Sequence, residues 1–145
     1  MSAPTVISTQ TVYPGMRYLD ARAAIDWLQR ALGAYPYAVY DGPGGTVAHA
    51  EIIVAGNIVM LGSSRDDGYP VRSPKELRGV TGGIYVVLSD AAAIDAMHAR
   101  AAAAGALITQ PPTDTDYGSH DFSLEDPEGY VWTFGTYRPG AAAPA

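Results

Sequence analysis

The feature of this 145-residue chain that most limits its fold is one pattern of elements that runs through it twice. In the first copy a strand-like stretch from about Val12 to Tyr18 passes through Asp20 into Ala23-Ala24-Ile25-Asp26-Trp27-Leu28 and reaches Gly33. It resumes as strands near Tyr35 to Tyr40, Thr46 to Val54 and Asn57 to Gly62. In the second copy Gly83 to Leu88 passes through Asp90 into Ala92-Ala93-Ile94-Asp95-Ala96-Met97 and reaches Gly105. It resumes at Leu107 to Gln110, Ser119 to Leu124 and Tyr130 to Gly135. Both helices carry Ala-Ala-Ile-Asp at the same place, and both copies close on an apolar strand and a glycine, Met60-Leu61-Gly62 and Thr133-Phe134-Gly135. Such a unit covers one sheet face with its helix and leaves the other free. The repeat therefore predicts an α+β fold: two tandem βαβββ units forming a cup-shaped mixed sheet, helices on the outer face.

Local chemistry sets the boundaries. Asp20, and either Ser89 or Asp90, can cap a helix N-terminus, while Gly33 and Gly105 suit the left-handed position after a helix ends. Ile25, Leu28 and Leu32, then Ile94, Met97 and Ala101, recur at steps of three and four and make one buried stripe per helix. Asp41-Gly42-Pro43-Gly44-Gly45 and Asp126-Pro127-Glu128-Gly129 read as hairpin connections. The resulting layout is a single domain over 1–145. It has repeat units at about 11–62 and 82–137, a linker at about 63–81 without apolar period, and a frayed tail at 138–145.

Composition narrows the partners. A formal net charge of −6, with only nine Lys and Arg spread along the chain, disfavours nucleic acid and anionic membranes. No apolar run reaches the ~18–20 residues of a membrane span and the start lacks a signal-peptide pattern, so the expectation is a cytoplasmic protein. With no cysteine, any metal would rest on His, Asp or Glu.

Period-two alternation separates the sheet faces. From Val47 to Val54, Ala48, Ala50, Ile52 and Val54 suit a helix, so His49 and Glu51 point the other way. Extended to the other strands, the parity lines the cup with Tyr13, Arg17, His49, Glu51, Met60, Tyr85 and Thr133, an amphipathic and aromatic set of the kind that binds small molecules. His49 and Glu51, about 6–7 Å apart at strand rise, admit three readings: contacts to a ligand, a structural polar network, or a general acid–base pair. Trp27 and Trp132 are expected in the core or a dimer interface, His98 exposed, and His120, alternating with Phe122 and Leu124, packed.

Several motifs resemble one family. Met16-Arg17-Tyr18-Leu19-Asp20-Ala21 leading into Asp26-Trp27, Val47-Ala48-His49-Ala50-Glu51, the Asp126-Pro127-Glu128-Gly129 turn and Trp132-Thr133-Phe134-Gly135 are similar to the vicinal oxygen chelate superfamily, which includes glyoxalases, bleomycin-resistance proteins and dioxygenases. The resemblance runs from about Thr11 to Tyr137 and is nearest to PhnB-like and antibiotic-binding members. Catalytic members hold a divalent metal with four side chains, one on the first and last strand of each unit. Those positions fall on Tyr13, Met60 (or Leu61, one residue on), Gly83 and Thr133, none an ordinary ligand for such an ion. Arg17 lies where some family enzymes keep an arginine for an anionic substrate group.

The resemblance thus implies a metal-free small-molecule-binding protein without cofactor. It would be a homodimer sequestering an aromatic or amphipathic ligand, as bleomycin-resistance and quinoxaline-peptide-binding members do. The alternative is a lyase, isomerase or dioxygenase, using a divalent metal or His49 and Glu51. A third reading is a catalytically silent scaffold.

Overall fold

The structure is a computed structural model that describes residue 4 and residues 9–141. Of the N-terminal segment and the tail, residues 5–8 and 142–145 lie outside the described residues. In the first unit β1 (Gly15–Tyr18) is followed by α1 (Ala21–Leu32), β2 (Tyr35–Asp41), β3 (Val47–Val54) and β4 (Asn57–Ser63). A short helix, α2 (Pro74–Leu77), follows. The second unit comprises β5 (Ile84–Val87), α3 (Ala91–Ala103), β6 (Leu107–Asp114), β7 (His120–Glu125) and β8 (Val131–Gly135).

The helix ends follow their sequence signals. The Asp20 carboxylate accepts from Ala23 N at 3.0 Å and that of Asp90 from Ala93 N at 2.8 Å. Gly33 turns left-handed at φ 66° and returns its N–H to the last carbonyls of α1. Along α1, Ala24, Ile25, Leu28, Ala31 and Leu32 are buried together with Trp27, while the alanine-rich α3 buries only Ile94 and Ala101.

Each unit makes a four-stranded sheet, and the two orders, β1-β4-β3-β2 and β5-β8-β7-β6, are the same order under the repeat. The outer β1–β4 and β5–β8 pairs are parallel and the remaining pairs antiparallel. One core serves both units, because α1 and α3 lie against each other while each covers its own sheet. Met16, Tyr18, Ala50, Ile52 and Leu61 face it from the first sheet, and Phe122, Leu124, Trp132 and Phe134 from the second. Phe134 stacks on Phe122 at 5.1 Å and on Trp132 at 6.5 Å. Arg100 of α3 donates to the carbonyls of Gln29 and Arg30 at the end of α1, both at 3.0 Å.

Two buried acids of the β7–β8 turn bind the units together. Asp126 accepts from the Tyr18 hydroxyl at 2.6 Å and from Glu128 N and Tyr130 N within its own turn. Burial raises the pKa of Asp126 against these hydrogen bonds, and raises that of the Tyr18 phenol as well. Glu128 accepts from Leu19 N at 2.7 Å, Asp20 N at 2.9 Å and the Ser73 hydroxyl at 2.6 Å. What reads as hairpin punctuation is thus also the joint between second unit, first unit and linker.

Some expectations shift. The first strand begins at Gly15 rather than near Val12, although Met60 N still donates to Pro14 O at 2.8 Å. The linker holds a helical turn, started by Ser73, whose hydroxyl accepts from Lys75 N, and by Pro74 at the first position. Each unit keeps its own sheet, and β1 has an open edge, where the Tyr130 hydroxyl bonds both Arg17 N and Arg17 O at 3.0 Å. His98 is half-buried with its ring edge-on to Phe122 at 5.3 Å, because α3 lies flat on β7. His120 faces α3 as its parity requires, yet it is held by charge: its two ring nitrogens meet Asp95 at 2.8 Å and Asp114 at 2.7 Å. Those two carboxylates raise its pKa.

Candidate functional site

Strand register assigns the helix-free face of each sheet. In the first sheet Gly15 pairs with Met60 and Met60 with Glu51, with Arg17 and Gly62 one step along the same face. In the second, Tyr85 pairs with Thr133 and Thr133 with Ser123, with Val87, Gly135 and Asp121 one step along. Leu61 points into the core, so Met60 is the residue of that strand that reaches the open face.

A cavity of about 340 Å³ opens on the first sheet, with Arg17, His49, Met60, Gly15, Arg65 and Tyr69 in its lining. Three of the seven sequence-selected residues meet here, Arg17, His49 and Met60, and Glu51 stands directly behind His49. Tyr13 precedes β1, is 40% exposed and donates to Gln10 O. Tyr85 and Thr133 belong to the second sheet. Tyr85 lines a separate space of about 430 Å³ with Pro14, Ile58, Ile84 and Trp132, and Thr133 shares a 2.7 Å hydrogen bond with Ser123.

Arg17 is 7% exposed, and a guanidinium so buried requires a partner. Asp67 from the linker supplies it, Oδ2 lying 2.9 Å from Nη2 and Oδ1 3.4 Å from Nη1. The guanidinium also lies 4.9 Å from the centre of the Tyr69 ring. Asp67 in turn accepts from Arg65 Nε at 3.0 Å and Tyr69 N at 3.1 Å. The Arg17 hydrogen bond is the largest reason its carboxyl is lowered to about 2. Two arginines thus share one carboxylate at the mouth of this cavity, on a chain of net charge −6. Sequence reasoning missed Arg65 and Asp67 and left Tyr69 outside the site, because a linker without period offers no parity from which to place a side chain.

His49 Nε2 lies 3.0 Å from Glu51 Oε2, and Tyr40 stacks on the imidazole at 6.0 Å between centroids. The pair can read a donor and an acceptor on a ligand, or pass a proton between them.

The first- and last-strand positions of the two units do not fit a divalent metal. The positions that meet in register on first and last strands are Gly15 with Met60 and Tyr85 with Thr133. Tyr13 and Gly83 lie one strand repeat earlier on the same face. Neither set brings a carboxylate or imidazole, the donors such an ion requires. Among the described residues no group of three or more His, Asp or Glu side chains is placed to hold a metal ion. No helix among them is long and apolar enough to cross a membrane.

Comparison with known proteins places this geometry in a family. An uncharacterized protein of Mycobacterium bovis is 30% identical over 118 residues, covering 80% of this chain and 76% of that protein. The structure of TioX from Micromonospora sp. ML1 superposes with a TM-score of 0.69 at 27% identity, over 94% of this chain and all of that one. The PhnB protein from Bacillus cereus shares the fold at a TM-score of 0.63 and 17% identity, over 86% of this chain and 98% of that one. With residues 11–134 matching its sequence profile, the chain belongs to the Glyoxalase/Bleomycin resistance protein/Dioxygenase superfamily.

Proposed function

We propose that this protein binds a small aromatic or amphipathic molecule on the helix-free face of its first unit and needs no divalent metal to do so. The observation that carries the reading is the exchange of donors on the two helix-free faces. Glycine and thioether stand at the register positions of the first sheet and phenol and hydroxyl at those of the second, while a buried arginine, a tyrosine and a methionine line a cavity of about 340 Å³ on the first. That volume suits a small planar ligand. Tyr69 and Met60 offer it apolar contact, and Arg17 and Arg65 attract an anionic group if it has one. His49 and Glu51 then read a polar edge.

The same reading includes a homodimer, supported by the apolar surface that Tyr35, Tyr37, Val39 and Tyr40 leave exposed on the outer strand β2. Light scattering at micromolar concentration tests that part, a monomer refuting it. Acid–base turnover by His49 and Glu51 is the second reading, favoured only by their 3.0 Å contact.

Calorimetric titration with quinoxaline-2-carboxylate, a planar ring with one carboxylate, tests the binding reading. Tyr69→Ala, an exposed position, is expected to weaken binding about tenfold through lost stacking. Unchanged affinity in that variant would remove this cavity from the function.

A further inference from the structure

The helix-free face of the second sheet carries a carboxylate that none of the foregoing uses. Asp121 of β7 is 6% exposed and lies opposite Gly135 in register. Two hydroxyls hold it: Ser119 Oγ donates to one carboxylate oxygen and Tyr117 OH reaches the other at 3.3 Å. Among the described residues no Lys, Arg or His nitrogen comes within the 4.0 Å of an ion pair. Buried carboxylates are ordinarily matched by a cation; here only hydroxyl dipoles face the charge.

The surroundings are aromatic. Tyr85 and Tyr117 bring their hydroxyls up to the carboxylate, the Tyr137 ring packs on Tyr117, and the three are between 38% and 62% exposed. The rings of Tyr117 and Tyr137 meet edge to face at 5.7 Å. Tyr85 OH donates to Tyr137 O at 2.8 Å, and Tyr137 N donates to Ser119 Oγ at 2.9 Å, so acid and rings form one bonded unit. Gly135 makes the meeting possible: a Cβ there would overlap both the Asp121 carboxylate and the Tyr85 hydroxyl. Burial pushes the Tyr85 phenol up.

Strand register makes this cluster the counterpart of the first cavity. Ala50 faces Leu61 as Phe122 faces Phe134, so Asp121 stands where the first unit has His49. One face gathers two arginines and a histidine–glutamate pair, the other a carboxylate among tyrosines.

We propose that the Asp121 cluster is a binding site for an organic cation, a small ammonium or quaternary ammonium group. Aromatic faces attract such a cation through their quadrupoles, and a buried negative charge beneath them adds an attraction that water screens little. A hard divalent ion would need more oxygen ligands than one carboxylate already engaged by two hydroxyls. An anion would be repelled. The site is separate from the Arg17 cavity and does not depend on what that cavity binds.

The test is a nuclear magnetic resonance titration with choline and with 3,3-dimethyl-1-butanol, its neutral isostere. Choline is expected to shift resonances of residues 117–121 and 137 and to bind about tenfold more tightly than the alcohol. Tyr117→Ala should weaken choline about fivefold, and Asp121→Asn, which keeps an acceptor for one hydroxyl and turns an N–H toward the other, should weaken it at least as much. If Asp121→Asn does not fold, Tyr117→Ala and the ligand pair decide alone, since the Tyr117 side chain is largely exposed. Equal binding of the two ligands, or choline affinity unchanged in Tyr117→Ala, would overturn the proposal.

Discussion

Replacing Glu128 by alanine removes the acceptor for three donors contributed by two other parts of the chain: Leu19 N and Asp20 N at the start of α1, and the hydroxyl of the fully buried Ser73. A hydrogen bond to a charged group contributes about 1.5–3 kcal/mol, and a stranded buried donor costs about 1–3 kcal/mol. The two backbone N–H groups are only partly buried and regain water, which discounts their share, whereas Ser73 is sealed. The expected loss is about 3–4 kcal/mol for Glu128→Ala. For Glu128→Gln it is about 2 kcal/mol, since an amide keeps one oxygen but presents N–H groups to a donor. For a chain this long the alanine variant should melt about 10 °C lower. Urea unfolding followed by tryptophan fluorescence is the assay, because Trp27 and Trp132 are both buried. The double variant with Ser73→Ala should lose less than the sum of the single losses. A Glu128→Ala loss below about 1 kcal/mol would show that water or a neighbour replaces the acceptor, and that this turn does not hold the units together.

Other outcomes follow from the same geometry. Asp67→Asn should tighten binding of quinoxaline-2-carboxylate by freeing the Arg17 guanidinium, as read by calorimetry; unchanged or weaker binding would show that Asp67 does not compete for that group. Because the folded pKa of Asp67 is depressed to about 2, its contribution is present above its usual 3.8 and is lost as pH falls toward about 2. Amide protection of residues 65–69, taken relative to the intrinsic exchange rate at each pH, should therefore hold down to about pH 4 and fall below it; protection lost well above that pH would contradict the linkage. The raised pKa of His120 has the opposite sign: its contribution is complete below about pH 6.5 and disappears as pH rises through the folded value. His120→Gln should thus lose stability relative to wild type in mild acid and not in alkali, and an equal loss at both would contradict the pairing with Asp95 and Asp114. Phe134→Ala should cost about 3–5 kcal/mol, since it unstacks Phe122 and Trp132 and leaves a sealed cavity.

The two-unit fold is legible because its signals are local and repeated. Capping aspartates, a three-and-four stripe and strand alternation each depend on near neighbours, and the second copy checks the first. The same alternation puts His49, Glu51 and Met60 on the open face, where register confirms them. It applies equally to His120 and Asp121, and there attention to the histidine hid the neighbouring acid, whose burial depends on Ser119, Tyr117 and Gly135 arriving from outside the strand. Arg65 and Asp67 are illegible for another reason. They sit where no period fixes direction, and only the tertiary path of the linker carries them over Arg17. Asp126 and Glu128 show a third limit: turn composition explains their presence but not their carboxylates, whose partners Tyr18, Leu19 and Asp20 lie over a hundred residues away.

The most direct test of metal-free binding is calorimetric titration of quinoxaline-2-carboxylate into protein stripped with EDTA, repeated after zinc or nickel is restored. The account predicts the same affinity in both, because no residue at the register positions offers such an ion a ligand. Binding that requires the restored metal, or that is absent in both, would contradict it.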